Sequence, residues 1–353
     1  MVVSQSLNEM KTDDILRSGH SIDDMLIHCS IDSRRCNSSV FTHFKSARFG
    51  NCYTLQADKF VATVPGPAYG LTLMLNLDVN DYVSPYSSGY GLKLLVHETG
   101  THPFIEEHGV TLAPAWTFVS LKQKTINRLG HPHGNCDKHL EYKTKYGIVY
   151  TRMACEQICL VTLTKDICDC MTGFVSLDET IVTQTNKTCD GYKVLCSLMV
   201  LEAQVRGDLP CPCTNPCSET HYSTTISSLS WPHEEYLRNE LIPLMCTEEI
   251  QAVKIKKATG YDCNEIRNGT ANISLNTLNI DTLRNNFLKL DLYFEELSYE
   301  HIEEVPAYDS VQFLSDIGGT VGLFVGASVL SGVELIHLLV ECFRYVLFRL
   351  RNK

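Results

Sequence analysis

Sixteen cysteines among 353 residues admit two readings, a thiol-rich metal protein of a reducing compartment or a disulfide framework of an oxidising one. The spacings Cys155-x3-Cys159, Cys168-x-Cys170, Cys211-x-Cys213 and Cys213-x3-Cys217 fit either, because thiolates so placed can also surround zinc. Four Asn-x-Ser/Thr sequons, at Asn37, Asn186, Asn268 and Asn272, are spread over the same region. Cysteines and sequons together favour disulfides outside the cytoplasm, so no metal and no cofactor is expected. The hydrophobic content of 44% is ample for a large core. A net charge of −11, with no concentrated basic face, argues against a nucleic-acid partner.

From Met1 to Met25 the chain is polar and mixed in charge, with no apolar core of the kind a secretory signal needs. Targeting information upstream of Met1, or insertion by the C-terminal segment, is therefore expected. That segment runs uncharged for seventeen residues, Ile317 to Val333, and its apolar character resumes beyond Glu334 through Phe348. A helix of roughly 20 apolar residues crosses a bilayer, so the sequence predicts a membrane helix over 306–348. Arg344, Arg349, Arg351 and Lys353 place the C-terminus, 349–353, in the cytoplasm and everything before the helix outside. Gly318, Gly322 and Gly326 recur every four residues and present a bare stripe for close helix contact. Glu334, His337 and Glu341, at i, i+3 and i+7, share a helical face, which points to a water-filled path rather than to lipid.

The run Asp316 to Ser328 (DIGGTVGLFVGAS), continued to Glu334, resembles the second transmembrane helix of the epithelial sodium channel, degenerin and acid-sensing channel superfamily. The likeness extends upstream through Gly19-His20, Asp23 to Leu26 with Cys29 and Cys36, and Phe49 to Leu55 (FGNCYTL), the last similar to a strand that re-enters the palm. It continues through Gly70 to Asp78, Gly109 to Pro114, and Leu290 to Tyr299 (LDLYFEELSY), similar to the last palm strand. That last run is apolar at Leu290, Leu292 and Phe294, the alternation of a half-buried strand.

The resemblance implies an α+β extracellular domain of palm, β-ball, finger, thumb and knuckle around an antiparallel palm sheet, followed by the C-terminal transmembrane helix. Its divisions would be 1–305 outside, with 1–50 finger, 51–135 palm and β-ball, 136–217 a disulfide-stapled thumb and 218–305 knuckle and palm. It implies a selectivity filter at Gly326, Ala327 and Ser328, where only small residues let three chains constrict around a cation. Ser315, Asp316 and Gly319 would form the gate, Glu334, His337 and Glu341 the inner pore lining, and Leu297 with Ser298 a linker that rearranges in desensitisation. A disulfide ladder is carried over as Cys136–Cys217, Cys155–Cys213, Cys159–Cys211, Cys168–Cys196 and Cys170–Cys189, with Cys29 paired to Cys36. Cys246 and Cys263 have no counterpart, and their proximity suggests that they pair with each other.

Cys342 is expected as a free, buried thiol in the membrane helix. Cys52 is left alone; in the family its partner follows the first membrane helix, so an N-terminal portion of a full subunit is expected to be missing. Three departures weaken proton gating: Ser-Leu-Met-Val-Leu after Cys196 where acidic-pocket aspartates are expected, His133 in place of an aromatic residue before Gly134, and His337 in place of a carboxylate. Taken with the family, the sequence predicts a trimeric, amiloride-sensitive sodium channel subunit of the plasma membrane, homomeric or heteromeric, gated by protons, a peptide or force. A truncated single-pass subunit that modulates full-length partners is the competing reading. No hydrolytic constellation is present, and an enzyme is not expected.

Overall fold

The computed structural model describes residues 12–46, 48–56, 60–82, 88–172, 189–259, 261–264, 284–326 and 329–351. The chain divides into two units, Met1–Glu303 and Glu304–Lys353.

The first unit is built on a six-stranded sheet. Its strands are β1 (Leu26–Ile31), β2 (Arg34–Arg35), β5 (Leu71–Asn76), β8 (Trp116–Asn127), β9 (Ser218–Leu229) and β10 (Phe287–Glu303), in the order β2-β1-β5-β10-β8-β9. Neighbours pair antiparallel except β8 and β10, which run parallel, so the expected antiparallel sheet contains one parallel ladder, between its fourth and fifth strands. Strand β4 (Gly50–Leu55), expected to re-enter the palm, instead pairs with β3 (Phe41–Ser46) in a two-stranded ladder, as β6 (Leu92–Leu94) does with β7 (Val110–Leu112). The two strands are neighbours along the chain, with Ser46 opposite Gly50, so the pairing is local, and period-2 patterning does not say which sheet such a pair joins.

Alternation divides the sheet into two working faces. Leu73, Leu75, Val119, Leu121, Leu288 and Leu290 share one face and are covered by the partly buried Leu92, Leu94 and Val110 of the β6–β7 ladder. Met74 and Phe287 lie on the other, under Leu237, Leu241, and Ile242 and Met245 of α4 (Ile242–Thr247) and Ile255 of α5 (Glu249–Thr259). Helix α5 is also tied to the sheet through polar groups. Gln251 donates to the carbonyls of Asp24 and Leu26 at 3.2 Å each, and Lys254 pairs with Asp78 at 3.8 Å.

Between β8 and β9 the chain makes a helical excursion. A short helix, α1 (Leu140–Tyr146), precedes α2 (Arg152–Cys168) and α3 (Tyr192–Arg206), which pack through Leu160, Val161 and Val200. Thr151 caps α2 by accepting from the Ala154 amide at 3.1 Å, and α3 ends at Gly207 with φ +82°. So small a core would be marginal alone, and five disulfides brace it: Cys155–Cys213 and Cys159–Cys211 from successive turns of α2, Cys168–Cys196 between the helices, Cys170–Cys189 at the tip and Cys136–Cys217 at the base. Cys29–Cys36 and Cys246–Cys263 complete the expected pairs, and the latter lies in the core between helices and sheet.

The second unit is two helices, α6 (Ser310–Val325) and α7 (Val329–Arg351), where the sequence predicted one span. Asp309 caps α6 by accepting from the Gln312 amide at 2.6 Å, and Gly326 leaves it with φ +64°. No helix among the described residues is by itself long and apolar enough to cross a membrane. At 1.5 Å per residue α6 is about 24 Å long, and α7 carries Glu334, Glu341 and three arginines. Cys342 is free, as expected, but exposed rather than buried, because α7 shows its apolar side chains all around its surface.

Leu290→Ala should cost about 3 kcal/mol, because Leu290 is fully buried at the centre of the sheet. Leu195→Ala, at a side chain 64% exposed on α3, should change stability by under ~0.5 kcal/mol. Thermal unfolding of the full chain in detergent, followed by circular dichroism, compares the two; equal shifts would contradict this division of the core.

Candidate functional site

Strand β10 holds the middle of the sheet through a buried carboxylate. Asp291 is 5% exposed and accepts from Trp116 Nε1 on β8 and Thr72 Oγ1 on β5, each at 2.6 Å. Lys289, two residues back on the same face, lays its ammonium 3.6 Å from the Trp116 ring centroid. Burial pulls the Lys289 pKa down, and the charge of Asp291 opposes that pull.

Beyond this knot β10 departs from a regular strand. Phe294 stands opposite Leu121, yet Tyr299 stands opposite Gln123, so Glu295, Glu296, Leu297 and Ser298 together face the single residue Lys122. The irregularity belongs to β10, since β8 pairs with β9 without a break from Trp116↔Leu229 to Asn127↔Ser218. Three surplus residues reverse the alternation. Leu290, Leu292 and Phe294 share a face before the bulge, and Tyr299, His301 and Glu303 take that face after it. Leu297 and Ser298, the expected desensitisation linker, form the exposed crest of this bulge, Leu297 being 47% exposed.

One lysine holds the bulge down. Lys122 Nζ lies 3.3 Å from Glu295 and 3.8 Å from Glu296, and Ser120 donates to Glu295 at 3.4 Å. About half of each charged side chain is exposed, so the pairs position the bulge more than they stabilise the fold. Lower on the sheet Lys124 pairs with Glu300 at 3.7 Å, and Arg128 donates to Glu219, which also meets His221 at 3.0 Å. Burial alone would raise the Glu219 pKa, but hydrogen bonds from Arg128 and His221 outweigh it and hold the carboxyl below its ordinary value. The stability this contributes is complete above the ordinary carboxylate range and is lost as pH falls through the depressed value. Sequence reading missed Lys122, Glu295, Glu296, Arg128 and Glu219; its one available signal was the Glu295-Glu296 pair interrupting the apolar alternation.

The remaining expected positions lie in the second unit. Ser315, Asp316 and Gly319 are exposed on α6, and the Tyr308 hydroxyl donates to the Asp316 carboxylate. Gly326 makes the left-handed break between α6 and α7, a conformation that suits glycine, while Ala327 and Ser328 lie outside the described residues. Glu334, His337 and Glu341 are exposed on α7. In the first unit the exposed Asn37 caps a short turn by accepting from the Ser39 amide at 3.1 Å; Asn186, Asn268 and Asn272 lie outside the described residues. Cys52 has no disulfide among the described residues, and burial followed by the Glu106 carboxylate pushes its thiol pKa up to about 12. No group of three or more side chains among the described residues could hold a metal.

A family model described as the amiloride-sensitive sodium channel matches residues 3–338. The chain belongs to that family. It is 30% identical over 353 residues to acid-sensing ion channel 1A of Danio rerio, covering 96% of this chain and 62% of that one. It is 28% identical over 344 residues to the epithelial sodium channel subunit alpha of Neoceratodus forsteri, covering 94% and 48%. With the FMRFamide-activated amiloride-sensitive sodium channel of Cornu aspersum it shares 25% over 395 residues, covering 93% and 62%. The chain thus spans about half to three-fifths of the length of the curated relatives it matches. These family members are named as channels or channel subunits, not as enzymes.

Lys122→Gln removes the cation that pairs with Glu295 and Glu296 and should leave global stability within about 1 kcal/mol of wild type. Amide exchange across 295–298 should accelerate while 288–292 stays protected, as hydrogen-exchange mass spectrometry would report. Unchanged exchange over the bulge would remove Lys122 from this role.

Proposed function

We propose that this chain is a subunit of a trimeric, amiloride-sensitive, stimulus-gated channel selective for sodium, placed in the plasma membrane with its first unit outside and its C-terminus in the cytoplasm. The observation that carries the reading is the break at Gly326, where α6 stops in a left-handed turn at the first residue of the expected filter. Backbone leaving a helix inside a bilayer is tolerated where it lines a water-filled path, and small side chains there let three copies approach one ion. Helices α6 and α7 in succession supply 16 and 23 residues, so a span shared by both halves is long enough even though neither suffices alone.

On this reading Gly326, Ala327 and Ser328 form the filter, Ser315, Asp316 and Gly319 the outer gate, and Glu334, His337 and Glu341 line the inner vestibule. The bulge at Leu297 and Ser298 is the element that rearranges when the channel desensitises. Its surplus residues give β10 slack of about 10 Å at strand rise, released or stored without breaking the β8–β9 ladder. The lipid bilayer, Na+ and two further subunits, identical or related, are the partners. Seven disulfides and the exposed sequon at Asn37 support the outward placement of the first unit. Protons, a peptide or force is the stimulus.

Two substitutions test the pore assignment in cells expressing the full chain, alone or with a related subunit. Ser328→Phe should abolish amiloride-blocked Na+ current while surface labelling is retained, because a ring does not fit a constriction of three small residues. Ser315→Phe should instead hold the gate open and give current without stimulus, since a bulky side chain wedges packed helices apart. Wild-type current in both variants would refute the assignment.

A further inference from the structure

One corner of the six-stranded sheet carries positive charge that no carboxylate among the described residues pairs with. The register of β1, β5 and β10 sets His28, Met74 and Lys289 in one row across the sheet, and Ser30, Thr72 and Asp291 in the next. Arg35 of β2 stands opposite Ser30, so Arg35, His28 and Lys289 share the face that α4 and α5 cover at Met74. Arg34, opposite Ile31, takes the other face.

Elsewhere on or beside this sheet Lys122, Lys124 and Arg128 each meet a carboxylate. In this corner the Arg35 and Lys289 side chains form no ion pair and no hydrogen bond among the described residues, and neither do the His28 ring and the Ser30 hydroxyl. The Lys289 ammonium rests over the Trp116 ring instead, 3.6 Å from its centroid. The Asp291 carboxylate, though near, has committed one oxygen to Trp116 and the other to Thr72. Burial pulls the His28 pKa below its ordinary value, and the charges of Arg35 and Lys289 push it further the same way. Two cations and an imidazole therefore stand close enough to repel one another, two of the three half-buried.

We propose that this corner binds a tetrahedral oxyanion, sulfate or phosphate, held by the Arg35 guanidinium, the Lys289 ammonium, a His28 ring N–H and the Ser30 hydroxyl. His28 and Lys289 lie on either side of β5, about 10 Å apart at the backbone, and their side chains reach toward Thr72 from both sides. Two unpaired cations match the charge of a dianion. Donors arriving from three strands suit an anion with four oxygens better than a spherical halide, and a guanidinium fork fits two of those oxygens at once. The neutral imidazole still supplies one N–H, so the site does not require His28 to be charged. On binding, the Lys289 ammonium leaves the Trp116 ring for the stronger, charge-assisted bond. The site stands on this register and these unpaired groups, and holds whether or not the chain conducts.

Isothermal titration calorimetry on the full chain in neutral detergent, at about pH 7.5 and constant ionic strength set with methanesulfonate, tests the proposal. Sulfate, phosphate and chloride are titrated separately. A single ion per chain should bind, with sulfate or phosphate at least tenfold tighter than chloride, and the tighter of the two oxyanions is the one the site takes. Arg35→Gln and Lys289→Met should each weaken that binding roughly tenfold or more, since each removes a charge-assisted bond. Arg34→Gln, on the opposite face, should leave it within about twofold, because a distant exposed charge is largely screened. Thermal unfolding without anion reports that each variant is folded; Lys289→Met also loses the contact with Trp116, so the exposed Arg35 decides the matter if that variant is not. No saturable oxyanion binding in wild type overturns the proposal, as does chloride binding equally well. So does undiminished affinity in Arg35→Gln, or a loss in Arg34→Gln as large as in Arg35→Gln.

Discussion

The buried carboxylate of Asp291 binds three strands into one sheet. Its two bonds, to Trp116 on β8 and Thr72 on β5, cross from strand to strand at the centre, where the sheet is covered on both faces. A charge so placed is costly unless its oxygens are satisfied, and here each oxygen takes a short bond. The arrangement also explains the parallel pairing. With Trp116 fixed above Lys289 and against Asp291, β8 and β10 are locked in the register that puts Leu292 beside Val119 and Phe294 beside Leu121. Gly70, just before β5, depends instead on the β5–β10 register, because a Cβ there would run into the Leu292 carbonyl oxygen.

Rigidity above the knot gives the lower half of β10 its meaning. The strand is held firmly as far as Phe294, carries four residues against one, and then pairs again from Tyr299 to Glu303. A strand fixed at one end and slack in the middle can change length toward its C-terminal end while the neighbouring β8–β9 ladder stays whole. The chain runs on from Glu303, the last residue of β10, to α6, which begins at Ser310.

Much of this was legible in the sequence because its causes are local or pairwise. The apolar alternation at Leu290, Leu292 and Phe294 does line one face, and the seven disulfides join the cysteines that family resemblance and proximity had paired. The parallel β8–β10 ladder and the bulge were not legible, since each depends on which distant segment a strand meets. Lys122 shows why: nothing in its neighbours along the chain marks it, and its role arises from standing opposite Glu295 and Glu296, more than 170 positions away. In the second unit, glycine spacing was read as helix contact, and Gly326 as part of a filter only through the family resemblance. The break at Gly326 follows from the same residue type, because glycine takes the left-handed conformation without strain.

An ion path through the Gly326 break is what the proposed channel requires, and the reversal potential of amiloride-blocked current tests it most directly. Cells expressing the full chain, alone or with a related subunit, would be challenged with acid, peptide and stretch while external Na+ is exchanged for K+. The account predicts an amiloride-blocked current whose reversal potential becomes more negative when K+ replaces Na+ outside. A reversal potential indifferent to that exchange, or no amiloride-blocked current under any of the three stimuli, would contradict it.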